Sequence, residues 1–167
     1  MADDRTADFD ALYAEYSGMV RQLCLGYMQG RQSEADDISQ EVFAQVWRHL
    51  GRFRQEASAK TWLYRITVNA CLTYSRQRSR RREERLPSPE QLADTTPGQS
   101  IDDETPLTKL YAAIGTLPEV DRLIYMLTLE GQTNAQIANV TGLSPGALRV
   151  RIHRSKLVLR KKLTNAT

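Results

Sequence analysis

Cysteine and histidine are scarce in this chain. Only Cys24 and Cys71 occur in 167 residues, each inside an apolar helical pattern. Two isolated thiols of that kind are commonly buried filler, so they read as reduced, and no disulfide framework is expected. The two histidines, His49 and His153, have no Cys, Asp or Glu at ligand or triad spacing, and there is no glycine-rich phosphate loop. The chain is therefore expected to hold no catalytic residue, no metal and no cofactor. No apolar run approaches the ~18 residues that cross a bilayer, and the acidic N-terminal end is unlike a secretory signal. No membrane insertion and a cytoplasmic location are expected.

Acid is also missing, but only at one end. No Asp or Glu follows Glu130, whereas seven Lys or Arg do; residues 1 to 41 instead hold nine acids and three bases. The net charge of +3 hides this division. One end suits a nucleic acid, and the other suits something else. The 41% apolar content is enough for packed cores, in one domain or two small ones.

The basic end contains QTNAQIANVTGLSPGALRVRIHRSKLVLRKK, Gln132 to Lys162. Thr133 with Gln136 three residues on forms a capping box, so a helix starts there. Gly142 follows where a left-handed residue would end it, and Ser144 with Pro145 caps and opens a second helix. That is a helix-turn-helix pattern. On the second helix Leu148, Ile152, Ser155, Leu159 and Leu163 form one inward stripe, while Arg149, Val150, His153 and Arg154 face elsewhere. A braced helix with arginines on its first exposed turns fits a major groove, where Arg reads guanine O6 and N7. A merely solvated face would normally mix signs.

Earlier in the chain Phe9, Leu12, Tyr13, Tyr16, Val20, Leu23, Cys24 and Tyr27 fall at helical spacing, as one helix or as a pair bent at Gly18. A second helix starts near Ser33, with Glu34, Asp36 and Asp37 in its first turn. Its buried stripe is Ile38, Val42, Val46, Leu50 and Phe53. Asp37, Gln40, Glu41, Gln45 and Arg48 lie on the open side, with Phe43 and Trp47 between the two faces; from the pattern alone Trp47 reads as a large core residue ahead of a partner contact. After a loop over residues 51–59, Ser58 caps a helix whose apolar positions Leu63, Ile66, Ala70 and Tyr74 run on into Arg76, Arg78, Arg80, Arg81, Arg82 and Arg85. That run is a second basic surface, or equally a solvated helix end. Residues 86–106 carry four prolines, several acids and no aromatic residue, and read as a flexible linker. Two further helices follow, one over Leu107 to Leu117 and one opened by Pro118 and ended by Gly131. With the helix-turn-helix they make a four-helix domain.

DDISQEVFAQVWRHLGRF followed by KTWLYRITVNACLTYSRQRSRRR resembles the second conserved domain of bacterial RNA polymerase sigma factors of the extracytoplasmic-function (ECF) group. LPEVDRLIYMLTLEGQTNAQIANVTGLSPGALRVRIHRSKLVLRKKL resembles their fourth. The resemblance implies an all-α chain of two small helical domains, a sigma-2-like bundle over residues 1–85 and a sigma-4-like domain over 107–167, joined by the linker 86–106. It implies a non-enzymatic transcription initiation factor that binds core RNA polymerase, at its β′ clamp helices and β flap, and promoter DNA, with an anti-sigma factor as a further partner. By position, Asp37, Gln40, Glu41 and Trp47 would meet the polymerase. Arg54, Ser58, Lys60, Trp62, Arg65, Asn69, Arg76 and Arg78 would meet the minus-10 element, in part as a flipped base held by the loop. Arg149, Val150, Arg151, His153, Arg154 and Lys156 would meet the minus-35 element. Val150 stands where the family commonly has a small polar residue, and suits a thymine methyl. A rival from another class is a stand-alone helix-turn-helix regulator with an N-terminal helical interaction domain. It would need a dimer face, and no heptad seam is present.

Overall fold

In a computed structural model of the chain, residues 2–53, 58–84 and 105–165 are described, and all of their regular structure is helical. Arg54, Arg85 and residues 86–104, read above as part of a loop, a basic surface and a linker, lie outside the described residues. The helices are α1 (Ala2–Tyr27), α2 (Gln32–His49), α3 (Ala59–Glu84), α4 (Pro106–Ile114), α5 (Glu119–Leu129), α6 (Asn134–Thr141) and α7 (Pro145–Asn165), with a 3-10 turn at Leu50–Arg52.

Helix α1 is continuous through Gly18, so of the two readings the single helix holds. A glycine inside a helix costs ~1 kcal/mol, and the packing of Tyr16, Met19, Val20 and Leu23 on either side outweighs it. The chain leaves α1 through left-handed Gln29 and Gly30 (φ 60° and 82°), where the Gly30 N–H closes onto the Leu25 carbonyl at 2.8 Å. Helix α2 then begins at Gln32 without a side-chain cap, and only Glu34 falls in its first turn. Asp36 and Asp37, expected there, lie one turn further on, because the start is set by the α1–α2 turn and not by Ser33. Helix α3 is capped by Ser58, whose Oγ accepts from the Thr61 N–H at 3.1 Å.

Helices α1, α2 and α3 pack as a bundle around Val20, Leu23, Ile38, Val42, Val46, Leu63 and Tyr64. Helices α4 to α7 surround Ile114, Leu123, Leu127, Ile137, Leu148 and Ile152. Each such side chain, fully buried, contributes ~1.5 to 3 kcal/mol. The two groups also meet: α1 packs on α4 and α5, and α3 on α5 and α6, so one apolar core runs through both. Along this seam Met126 lies against Gly26, where a Cβ would overlap its side chain. Arg122 donates from Nη1 to the Tyr27 carbonyl at 2.9 Å and sits 5.2 Å over the Tyr27 ring. Gln29 Nε2 donates to the Gly115 carbonyl at 3.3 Å, and Arg65 donates to Asn139.

The two thiols are buried between α1 and α3 and unbridged. A hydrogen bond with Cys24, together with burial, pushes the Cys71 thiol well up.

Candidate polymerase and DNA interfaces

Three surfaces collect the residues singled out from sequence. On α2 the side chains of Asp37, Gln40 and Glu41 are exposed. Glu41 accepts from Arg48 Nη2 at 3.2 Å and from Gln45 Nε2 at 3.3 Å, which holds its carboxylate on the outer face. Asp36 is turned to α1 and accepts from Arg21 Nε at 2.9 Å. Such exposed pairs are worth at most ~1 kcal/mol each and leave the face acidic.

Trp47 is not in the core: 40% of it is exposed. Its ring meets Phe9 edge-on at 5.4 Å, Arg5 lies 4.7 Å over it, and Arg5 also donates to the Trp47 carbonyl. Phe43, one turn earlier, takes the buried place instead. Sequence reasoning missed the α1 side of this surface. Tyr13, read as core, is 51% exposed and packs on Phe43 at 4.9 Å, so Phe9, Tyr13 and Trp47 rim an open apolar groove of about 790 Å³ beside Gln40. Phe9 and Tyr13 are four residues apart, and that spacing describes a rim as well as a core.

The second surface runs along α3. Trp62 stacks on Phe53 at 4.6 Å, so the aromatic pair braces the start of the helix next to Ser58 and half-buried Lys60. Asn69 and Arg76 are exposed. Arg65 is engaged with Asn139 of α6, and Arg78 with Glu34 of α2 at 3.2 Å.

The third surface is α7. The capping box forms as expected: the Thr133 hydroxyl accepts from the Gln136 N–H at 3.2 Å, and Gln136 Oε1 accepts from the Thr133 N–H at 2.8 Å. Gly142 is left-handed, with φ 76°, and Ser144 Oγ accepts from the Ala147 N–H at 3.2 Å. Leu148, Ile152, Ser155 and Leu159 are buried. Leu163 is 37% exposed, contrary to the inward stripe, because α7 there outruns the helices it packs against. Arg149, Val150, His153, Arg154 and Lys156 are exposed along the helix. Arg151 is turned back: its Nη1 donates to Asp121 of α5 at 2.9 Å, with that carboxylate only 13% exposed. Among the described residues no helix is long and apolar enough to cross a membrane.

Comparison with known proteins matches residues 12–81 to the Sigma-70 region 2 family and residues 107–159 to the Sigma-70 region 4 family. The chain is 32% identical to the ECF RNA polymerase sigma factor SigE of Mycolicibacterium smegmatis over 159 residues, which is 93% of this chain and 61% of that protein. It is 30% identical to the RNA polymerase sigma-H factor of Pseudomonas aeruginosa over 166 residues, covering 86% of that protein and 93% of this chain. The fold is similar to the sigma factor RpoE solved with the anti-sigma factor NepR from Bartonella quintana, with a TM-score of 0.71 at 20% identity over 94% of this chain and 97% of that one. It is also similar to CnrH solved with the cytosolic domain of CnrY, with a TM-score of 0.69 at 22% identity over 97% of this chain and 91% of that one.

Proposed function

The chain belongs to the ECF group of the sigma-70 family, and from that membership we propose that it binds core RNA polymerase in the cytoplasm and directs it to two-element promoters. In this reading residues 1–85 form the polymerase-binding and minus-10 domain, 86–106 the linker, and 107–167 the minus-35 domain. The observation that carries it is the pairing of opposite surfaces on one chain: an exposed acidic face at Asp37, Gln40 and Glu41, and an exposed α7 face with arginines and no acid.

Each surface has a physical role. The α2 face, with the Trp47 rim beside it, offers a basic partner on polymerase a charged platform next to an aromatic anchor, the kind of side chain that dominates interface energy. Ser58, Lys60, Trp62, Arg65, Asn69, Arg76 and Arg78 line or flank α3, and with Arg54 they would hold the melted minus-10 strand, with unstacking offset by polar and aromatic contacts. Arg149 and Arg154 would read guanines in the minus-35 major groove, Val150 a thymine methyl, and His153 and Lys156 the neighbouring backbone. Arg151 supports α7 from behind through Asp121. The sigma factor RpoE, similar in fold, was solved with an anti-sigma factor, and a protein inhibitor of that class is proposed for this chain too.

The test is capture of core polymerase by the tagged full chain. The double variant Asp37→Lys, Glu41→Lys is expected to lose capture while its melting temperature stays within a few degrees of the parent, since neither residue is buried. Retained capture would move the polymerase interface off α2.

A further inference from the structure

The α1–α2 turn, the C-terminal half of α3 and the start of α5 close around a pocket of about 290 Å³, apart from the acidic α2 face and the α7 face. Its lining includes Arg31, Arg78, Arg122, Tyr74, Ser79 and Glu119. Positive charge there is under-compensated. Arg31 and Arg78 share one carboxylate oxygen, Glu34 Oε2, at 3.5 and 3.2 Å. Arg122 has no carboxylate partner among the described residues; its Nε and Nη1 go to the Leu117 and Tyr27 carbonyls at 3.1 and 2.9 Å, and Nη2 is left over. Three guanidiniums thus face two carboxylates, Glu34 and Glu119.

Two helix starts add to this. Arg31 is the N-cap position of α2 and Glu119 the first residue of α5, so the positive ends of two helix dipoles lie at the pocket wall. The Arg31 and Arg78 side chains are only 23% and 32% exposed, which leaves them less screened than surface cations. A DNA duplex cannot enter a cavity of this size, whereas a diphosphate group can, and the guanidinium fork matches its oxygens. We propose that this pocket binds the diphosphate group of a small metabolite. Because α5 comes from the second half of the chain and the other walls from the first, the bound anion ties the halves together. It also competes with the promoter strand for Arg78.

The experiment is isothermal titration of the full chain with sodium pyrophosphate at fixed ionic strength. Saturable one-to-one binding is expected, weakened at least tenfold in Arg31→Gln and in Ser79→Asp, which adds a negative charge at an exposed position on the rim. It should be unchanged in Arg149→Gln and Lys161→Gln, whose cations lie on α7. Failure to saturate, or equal weakening by the α7 variants, would overturn the proposal. Adenosine diphosphate titrated alongside identifies the source: tighter binding than pyrophosphate means a nucleotide whose ring meets tyrosine, and equal or weaker binding means the bare diphosphate.

Discussion

Arg149 and Arg151 are two positions apart, which is about 200° around a helix, and that rotation separates their work. Arg149 points into solvent, while Arg151 is held by Asp121 thirty residues earlier in the chain. The sequence shows both as bases on a DNA-facing helix; only tertiary packing reveals the carboxylate behind one of them. Arg149→Ala or Arg154→Ala is expected to cost ~1 to 3 kcal/mol on a cognate minus-35 site and to relax base preference there. Arg151→Ala should instead lower stability by ~1 to 3 kcal/mol, because it leaves a largely buried carboxylate unpaired. Binding-site selection and urea titrations run together separate the two, and a relaxed base preference in Arg151→Ala would reverse its assignment. Two tyrosines carry a pH dependence. Burial pushes Tyr27 and Tyr64 up to about 12, from an ordinary 10.0. Between those values the unfolded chain releases the phenolic protons first, which favours unfolding. Stability should be intact below pH 10 and fall as pH rises through 12, and Tyr64→Phe should flatten that fall in alkaline urea titrations.

At the scale of elements, the helix-turn-helix was the most legible part of the chain. Its starts and stops are set by local chemistry at Thr133, Gln136, Gly142, Ser144 and Pro145, with no need of distant residues. Thr133→Ala should cost ~1 kcal/mol through loss of the cap, measured by denaturant unfolding, and no change would show that packing of Ile137 and Val140 alone fixes α6. Helix α1 was less legible. A period of 3.6 marks an apolar face without saying which stretch of it is covered, so Tyr13 on the groove rim resembled Val20, seven residues on along the same face, in the core. Trp47 was misread for the same reason, its place in the core being taken by Phe43. The continuation of α1 through Gly18 depends on packing supplied by α2, α3 and α5, which a local signal cannot carry.

At the scale of the molecule, the seam between the halves was not legible at all. Met126 against Gly26 and Arg122 on the Tyr27 carbonyl join residues about a hundred positions apart, and nothing in either helix alone announces a partner. The packed arrangement also occupies Arg65, one of the residues proposed to meet the minus-10 strand, so promoter binding must compete with the seam. Two elements read separately lie at least ~34 to 36 Å apart on DNA, whereas the flexible linker proposed from the composition of residues 86–106, about 20 residues, would average only ~22 to 27 Å between its ends. On the proposed function, polymerase would therefore hold the halves apart. Deleting residues 90–99 leaves about ten linker residues, which reach at most ~33 to 36 Å. That deletion is expected to abolish run-off transcription from a two-element promoter while both halves stay folded. A Gly/Ser replacement of equal length should keep much of the activity, and full activity after the deletion would refute the spanning requirement.

The most direct test of the chain as a promoter-directing factor is transcription from a bacterial genomic fragment library by core RNA polymerase, with and without the protein, followed by mapping of transcript starts. The expected result is a small set of new starts, absent with core alone, each preceded by a shared pair of sequence elements. No starts above those of core alone, together with tight binding of the free protein to a palindromic site, would contradict it.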